Sequence, residues 1–207
     1  MRSPLAPERL LAAYAAGIFP LADEGGKIHW LVPDPRAIIE LGAFKSSRSM
    51  RSARRRGLFT ITIDGAFAEV IEACADRPDG TWISRNIHDA YCELHRLGFA
   101  HSVETWKEDQ LAGGLYGVAI GGAFFGESMF HRVTDASKVA LMVLVERMRE
   151  RGFTLLDVQF MTDHLRQFGA VEIPRAEYER RLRDAVQRPC SFVDLPGAIT
   201  LDPPLGR

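Results

Sequence analysis

The sequence has few cysteines, no long apolar run and almost no net charge, and each shortage excludes a class of protein. Its three cysteines are widely separated and form no CxxC pair, so neither a disulfide framework nor a cysteine zinc site is expected. No apolar run approaches the roughly 18 residues of a membrane-spanning helix. Prolines and a glutamate interrupt the N-terminus where a signal peptide needs an apolar core. We therefore expect a cytoplasmic protein with no membrane partner.

Several catalytic signatures are also missing. The six histidines form no HExxH pattern, and the chain contains no GxSxG elbow, no P-loop and no GxGxxG. Metal chemistry, a covalent acyl-enzyme and the usual modes of ATP or dinucleotide binding are therefore not expected. The sequence predicts no cofactor.

The formal charge of −1 conceals a strongly basic segment at residues 45–56, KSSRSMRSARRR. Such a segment is either a solvated surface or a binding site for a sugar-phosphate backbone, because guanidinium groups pair well with phosphate. We define the basic cluster by its six cations, Lys45, Arg48, Arg51, Arg54, Arg55 and Arg56.

Hydrophobic periodicity predicts one mixed α/β domain. Residues 101–106, 111–120 and 123–130 read as an antiparallel meander, and the segment 24–36, rich in glycine and proline, reads as a loop. The expected helix caps are Asp64, Asn86 and Asp135. Longer helices are expected over 7–16, 65–75, 87–97, 136–150 and 175–187, a short one after Thr162, and further strands over 58–63 and 154–160.

Two groups of polar residues interrupt apolar strands. Asp157 and Gln159 are two residues apart, so their side chains point to the same face, and the glutamine is the neighbour able to donate to the carboxylate. The pair is either an internal contact that fixes strand register or a base directed at an amine. Glu127, between Gly126 and Ser128, is either an exposed strand-end carboxylate or a group that attracts a cationic substrate in a cleft.

Ten segments, in order along the chain, resemble the bacterial leucyl/phenylalanyl-tRNA-protein transferase family. They are AYAAGIFP, WLVPDPRA, SRSM, GTWISR, LGFAHSVETW, GGLYGV, FGESMF, ASK, LDVQ and GAVEIPR, between residues 13 and 175. The resemblance implies an enzyme that moves Leu, Phe or, less well, Met from tRNA onto an N-terminal Arg or Lys, marking the protein for N-end rule degradation. It also implies a GNAT-like acyltransferase domain over 34–207 that uses no coenzyme A, preceded by a reduced N-terminal segment, 1–33.

The same resemblance assigns roles to individual residues. Asp157 with Gln159 is similar to the family's proton-relay pair, and Glu127 to its acidic group near the incoming peptide. The residues expected around the terminal adenosine and aminoacyl group are Tyr14, Trp82, Phe124, Gly126 and Ser128. The candidates for the apolar pocket are Leu115, Met129, Leu141 and Leu144. The basic cluster is expected to hold the tRNA acceptor stem.

One departure from the family and three rival functions bear on this interpretation. Leu21 stands where the family commonly has tryptophan, so an aromatic contact to the nucleotide is missing or supplied elsewhere. A coenzyme A acetyltransferase of the same fold needs a glycine-rich loop that residues 130–137 lack. The others are a leucyl-transferase for acidic N-termini, which Glu127 disfavours, and a noncatalytic RNA-binding module, which needs only the basic cluster.

Overall fold

A computed structural model describes residues 4–78 and 80–194. The other residues of the expected N-terminal segment and acyltransferase domain, 1–3, 79 and 195–207, lie outside the described residues. The helices are α1 (Pro7–Ala15), α2 (Arg48–Arg55), α3 (Phe67–Ala75), α4 (Arg85–Arg96), α5 (Ala136–Glu150), α6 (Asp163–Arg166) and α7 (Arg175–Val186). The strands are β1 (Phe19–Ala22), β2 (Ile28–Leu31), β3 (Arg36–Ile39), β4 (Thr60–Ile63), β5 (Ala100–Lys107), β6 (Gln110–Ile120), β7 (Ala123–His131), β8 (Leu155–Gln159) and β9 (Ala170–Ile173).

Within the described residues a mixed seven-stranded sheet forms the centre of the molecule, in the order β4-β5-β6-β7-β8-β3-β9. The meander β5-β6-β7 is antiparallel as predicted, and the helix α5 carries the chain across to β8, which pairs with β7 in parallel. A crossover of this kind needs a connection long enough to return over the sheet, which the 15-residue α5 provides. The mixed α/β class is confirmed.

The two faces of the sheet bury different helices. On one face, α1, α3, α4 and α7 pack a core that includes Leu10, Tyr91 and Leu182. The other face is covered by α5, whose residues 139–145 are all buried. A fully buried apolar side chain contributes about 1.5–3 kcal/mol, so the continuous apolar run 139–145 fixes one side of the sheet. None of the helices in the described ranges is long and apolar enough to cross a membrane.

The N-terminal segment shares its core with the rest of the chain. The side chains of Leu10, Tyr14 and Phe19 have no exposed surface, and α1 contacts both α4 and α7. Gly17 ends α1 at a φ of 78°, as the sequence predicts. Side chains from the segment 1–33 therefore reach the middle of the molecule.

Three local predictions are wrong. The segment 24–36 contains β2, which pairs with β1, and it ends at the start of β3; pairing with a partner strand outweighs its glycine and proline content. Ser84, not Asn86, caps α4 by accepting a hydrogen bond from the Ile87 amide. Asp64 lies before α3 without capping it, because its carboxylate accepts hydrogen bonds from the Ser102 amide instead.

The caps of α5 and α6 differ from each other. Asp135 occupies the N-cap position of α5, but its backbone is left-handed and its side chain makes no capping bond. Thr162 caps α6 by accepting from the Leu165 amide.

Candidate active site

A cavity of about 510 Å³ opens where β7 and β8 separate. The two strands pair only between residues 123–125 and 155–157, while β7 continues to His131 alongside β6. The walls come from both faces of the sheet and from the loops after α3 and β8. The lining residues include Arg77, Trp82, Leu115, Tyr116, Gly126, Glu127, Ser128, Met129, Ser137, Leu141, Leu144, Leu156, Gln159 and Phe160.

The wall facing α5 is apolar. Leu115 and Met129 are partners across β6 and β7, and Leu141 and Leu144 of α5 lie on the same side. With Leu156 of β8 they form a surface that a flexible apolar group can fill, since methionine and leucine adjust to the shape of a ligand. The four residues predicted from the resemblance to form a pocket do line one.

A β-bulge places Glu127 in the cavity. Tyr116 pairs with Ser128 and Gly117 with Gly126, so Glu127 is the extra residue of β7. Of the two alternatives for Glu127, the exposed strand end is therefore wrong, because the strand extends to His131 and Glu127 lines a cleft.

The Glu127 carboxylate accepts hydrogen bonds from three elements. The Tyr14 hydroxyl of α1 donates at 2.7 Å, the Gln159 side-chain amide at 2.9 Å and the Tyr91 hydroxyl of α4 at 3.3 Å. Burial raises the pKa of Glu127 to about 8, the three donors act against that rise, and the nearby Asp157 carboxylate adds to it. The carboxyl is therefore poised to change charge near neutral pH.

Asp157 lies beneath the cavity in a buried ion pair. The Arg36 guanidinium donates to its carboxylate from Nε at 3.0 Å and from Nη2 at 2.7 Å, and the Tyr178 hydroxyl donates at 2.6 Å. Both charged side chains are at most 1% exposed. A bidentate pair of this kind is rigid and directional.

Gln159 connects the two carboxylates. Its backbone amide donates to Asp157 at 2.8 Å, and its side-chain amide donates to Glu127 instead of to Asp157, contrary to the sequence prediction. The residue has a φ of 66°, an unfavourable value for a non-glycine residue, at the point where β8 ends. The turn directs the Gln159 side chain into the cavity, whereas Asp157 does not line it.

The basic cluster forms a separate exposed surface. Arg48 to Arg55 form α2, which buries Met50 and Ala53 and leaves all six cations of the cluster exposed. A groove of about 470 Å³ lies between α2 and α5; it is lined by Arg48, Arg51, Arg54 and Arg55 with Met142 and Glu146. Helix α5 therefore borders both the groove and the cavity.

Two family models match the chain. The model described as leucyl/phenylalanyl-tRNA protein transferase matches residues 38–183, and that of the N-terminal domain of the same proteins matches residues 3–34. The chain belongs to this family.

Relatives named leucyl/phenylalanyl-tRNA--protein transferase resemble the chain over most of its length. The protein from Gloeobacter violaceus is 54% identical over 189 residues, which are 91% of this chain and 97% of that one. The relative from Rhodopseudomonas palustris is 50% identical, covering 94% and 88% of the two chains. The one from Salinibacter ruber is 54% identical, covering 88% and 80%.

The residues expected around the nucleotide and aminoacyl group divide into two sets. Trp82, Gly126 and Ser128 line the cavity. Among the described residues Tyr14 and Phe124 are absent from its wall: the Tyr14 hydroxyl bonds to Glu127 and to the Tyr91 hydroxyl, and Phe124 is buried against Phe192. Direct contact of these two side chains with a ligand is therefore not supported by their positions.

Among the site residues that sequence reasoning missed, four form hydrogen bonds in or beneath the cavity. Arg36 lies within the WLVPDPRA segment, and its burial beside a strand carboxylate follows only from the pairing of β3 with β8. Tyr91 of α4 donates to Glu127 and Tyr178 of α7 donates to Asp157, contacts that join separate elements of the fold. Arg77, which donates to the Ser128 hydroxyl at 2.8 Å, lies in the loop before Trp82.

The Asp157→Ala variant is expected to lose stability. Without the carboxylate the Arg36 guanidinium is buried and unpaired, which costs about 3–5 kcal/mol. The Gln159→Ala variant keeps the backbone hydrogen bond to Asp157 and loses one side-chain bond, about 1 kcal/mol. Urea unfolding measures both changes. The double variant Arg36→Met, Asp157→Leu is expected to lose less than Asp157→Ala; equal stability of the wild type and Asp157→Ala would contradict the ion pair's role.

The Glu127→Gln variant is expected to change how stability depends on pH. The folded pKa of Glu127 is about 8, above its ordinary value of 4.5, so its protonated form stabilises the fold below pH 4.5. That contribution is lost as pH rises through 8. Because glutamine does not titrate, the variant gains stability relative to the wild type between pH 5 and 8. Urea unfolding at several pH values measures the difference, and a constant difference would refute the raised pKa.

Proposed function

We propose that this chain transfers Leu, Phe or Met from aminoacyl-tRNA to the N-terminal Arg or Lys of an acceptor protein, forming a peptide bond and marking that protein for N-end rule degradation. The observation that carries the proposal is the cavity itself, in which an apolar wall adjoins the hydrogen-bonded pair of Glu127 and Gln159. Membership of the transferase family supports the same reaction. Charged tRNA and nascent proteins share the cytoplasm, where we place this activity.

The aminoacyl ester is already activated, so the reaction needs no protein nucleophile. The acceptor amine attacks the ester carbonyl carbon, the bond to the tRNA 3′ oxygen breaks, and that oxygen takes a proton. The protein contributes by holding both substrates in place and by removing a proton from the amine. A cavity that presents carboxylate, amide and hydroxyl groups can make both contributions.

The apolar wall selects the aminoacyl side chain. Leu, Phe and Met gain free energy by leaving water for a surface formed by Leu115, Met129, Leu141 and Leu144. Charged or polar side chains lose hydration there and gain no partner. Discrimination among the three accepted residues is small, because an apolar pocket separates similar apolar groups weakly.

Gln159 acts on the attacking amine together with Glu127, and Asp157 holds Gln159 in place. The Gln159 side-chain oxygen accepts a hydrogen bond from the amine, and Glu127, at 2.9 Å from the same side chain, takes the proton of the incoming ammonium group. Asp157 contacts no substrate; it fixes Gln159 by accepting its backbone N–H at 2.8 Å. Asp157 is thus a positioning residue for Gln159.

Glu127 favours a basic acceptor over an acidic one. A cationic side chain or ammonium group stabilises the ionised carboxylate and lowers its pKa from the value in the empty cavity. An acidic N-terminal residue would add negative charge beside Glu127 and Asp157. The alternative of a leucyl-transferase for acidic N-termini is therefore disfavoured.

The tRNA binds across the groove and the cavity mouth. Guanidinium groups of α2 pair with phosphates of the acceptor stem without reading its sequence. Trp82 and Phe160 offer aromatic faces to the terminal adenine, and Phe160 is 44% exposed beside the cavity. Phe160 packs against Phe19, two residues from Leu21 on β1, so it supplies an aromatic surface close to the position of the family's tryptophan.

We also propose that the domain is GNAT-like and uses no coenzyme A. The antiparallel strands followed by a helical crossover to a parallel strand support this interpretation. The turn between β7 and α5 contains no glycine to admit a pyrophosphate. A noncatalytic RNA-binding module would need only the groove and gives no reason for the polar groups of the cavity.

Incubation with labelled leucyl-tRNA is expected to transfer leucine to peptides that begin with Arg or Lys and not to those that begin with Asp or Ala. The Gln159→Ala variant should lower turnover at least 10-fold, because the amine loses an oriented acceptor. Acid-precipitable label measures transfer. Binding of leucyl-tRNA without transfer to any peptide would favour the RNA-binding module, and preference for Asp would favour the alternative transferase.

Replacing Arg54 and Arg55 together by alanine is expected to raise the KM for leucyl-tRNA and to reduce its salt dependence. Each phosphate contact contributes roughly one unit to the slope of log K against log salt. The matched control is Arg183→Ala on α7, an exposed arginine on the opposite face of the sheet. Equal effects of the two changes, or transfer that improves with added sodium chloride, would exclude the groove as the tRNA site.

A further inference from the structure

Tyr116 has a hydroxyl group that the fold does not satisfy. Its side chain has no exposed surface, and among the buried side-chain oxygen and nitrogen atoms of the described residues its Oη alone lacks a hydrogen-bond partner. Native proteins rarely leave such a group unpaired, because burial removes its bonds to water. Tyr116 is also one of the residues that line the cavity.

Packing holds the Tyr116 ring in place. Its ring meets that of Tyr91 edge to face at 5.8 Å and that of Phe67 in the same manner at 5.8 Å. Interlocked aromatic rings of this kind resist rotation in a close-packed core. The hydroxyl therefore keeps its position instead of turning towards a protein partner.

The neighbours of Tyr116 place it where the apolar and polar parts of the cavity meet. Leu115, the preceding residue of β6, lines the apolar wall, and Ser128, its partner across β7, lines the polar side. Glu127 is the bulged residue next to Ser128. When the aminoacyl side chain lies against Leu115 and the amine of the acceptor lies at Glu127, the ester group lies between them, beside Tyr116.

The hydroxyl is suited to donate. Burial and the nearby Glu127 carboxylate raise the pKa of Tyr116 well above its ordinary value, so the group keeps its proton at any pH at which the enzyme works. The Ser128 hydroxyl already accepts a hydrogen bond from the Arg77 guanidinium at 2.8 Å. Tyr116 therefore brings an uncommitted O–H to the junction.

We propose that the Tyr116 hydroxyl donates a hydrogen bond to the carbonyl oxygen of the aminoacyl ester. This inference rests on the proposed function. As the amine attacks the carbonyl carbon, that oxygen gains negative charge, and the bond from Tyr116 strengthens in the transition state. When the tetrahedral intermediate collapses, the carbon–oxygen bond to the ribose breaks and the new amide carbonyl keeps its oxygen. Tyr116 itself transfers no proton.

The Tyr116→Phe variant tests the proposal, since it removes one oxygen atom and keeps the ring. With leucyl-tRNA and an Arg-initiated peptide we expect kcat to fall roughly 100-fold, the effect typical of a lost oxyanion donor. The KM for the peptide should stay unchanged. The free energy of unfolding should equal or exceed that of the wild type, because the variant buries no unpaired hydroxyl.

A matched stability control and a binding measurement complete the experiment. Tyr178→Phe removes a buried hydroxyl that has a partner, Asp157, and is expected to lower the free energy of unfolding. An amide-linked leucyl-adenosine should raise the Tm of the wild type more than that of Tyr116→Phe, because its carbonyl accepts the same bond.

Three outcomes would overturn the proposal. They are an unchanged kcat in Tyr116→Phe, a loss of activity matched by a loss of folded protein, and an effect confined to the KM for the peptide. If the unchanged chain transfers leucine and the variant matches it, only the role of Tyr116 fails. If the unchanged chain transfers nothing, the proposed function fails, and with it this inference.

Discussion

The ion pair between Arg36 and Asp157 is the constraint on which the rest of the site depends. Its guanidinium also donates to the Gly17 carbonyl at 3.0 Å and stacks on the Phe19 and Tyr178 rings, so one buried side chain joins the N-terminal segment, β3, β8 and α7. Burying two charges is costly, and the cost is offset only when every donor and acceptor is satisfied. Here that requirement fixes the end of β8, and with it the backbone of Gln159.

The second constraint is the separation of β7 from β8. Three residues of each strand pair, and after them the bulge at Glu127 and the left-handed turn at Gln159 direct both side chains into the gap. An antiparallel meander alone has no such opening, because its neighbouring strands stay bonded along their length. The cavity therefore follows from the single parallel pair in the described sheet and from the crossover through α5.

The polar groups of the cavity differ in how completely the fold satisfies them. Asp157 receives four donors and is a structural anchor, whereas Glu127 receives three yet keeps a pKa near 8, and Tyr116 receives none. A gradient from fully bonded to unbonded groups, running from beneath the cavity to its wall, is what a site for a polar substrate requires. The fold gives up stability at Tyr116, whose hydroxyl is unpaired, and at Glu127, whose pKa is raised. A ligand that bonds to these groups recovers that free energy on binding.

Local sequence determined the helices other than α2 and the strands β4 to β8, because the 3.6- and 2-residue periods and the turn residues act over a few positions. It also determined the basic cluster, whereas the apolar residues of the pocket came from the resemblance to the family. It also placed Glu127, Asp157 and Gln159 among apolar neighbours. The sequence predicts a loop over the segment 24–36 and not the strand β2, because β2 forms only by pairing with β1. Tertiary structure alone decided the partners: Arg36 meets Asp157 across 121 positions and Tyr14 meets Glu127 across 113. Such contacts depend on strand order and on one bulge, which no window of neighbouring residues contains.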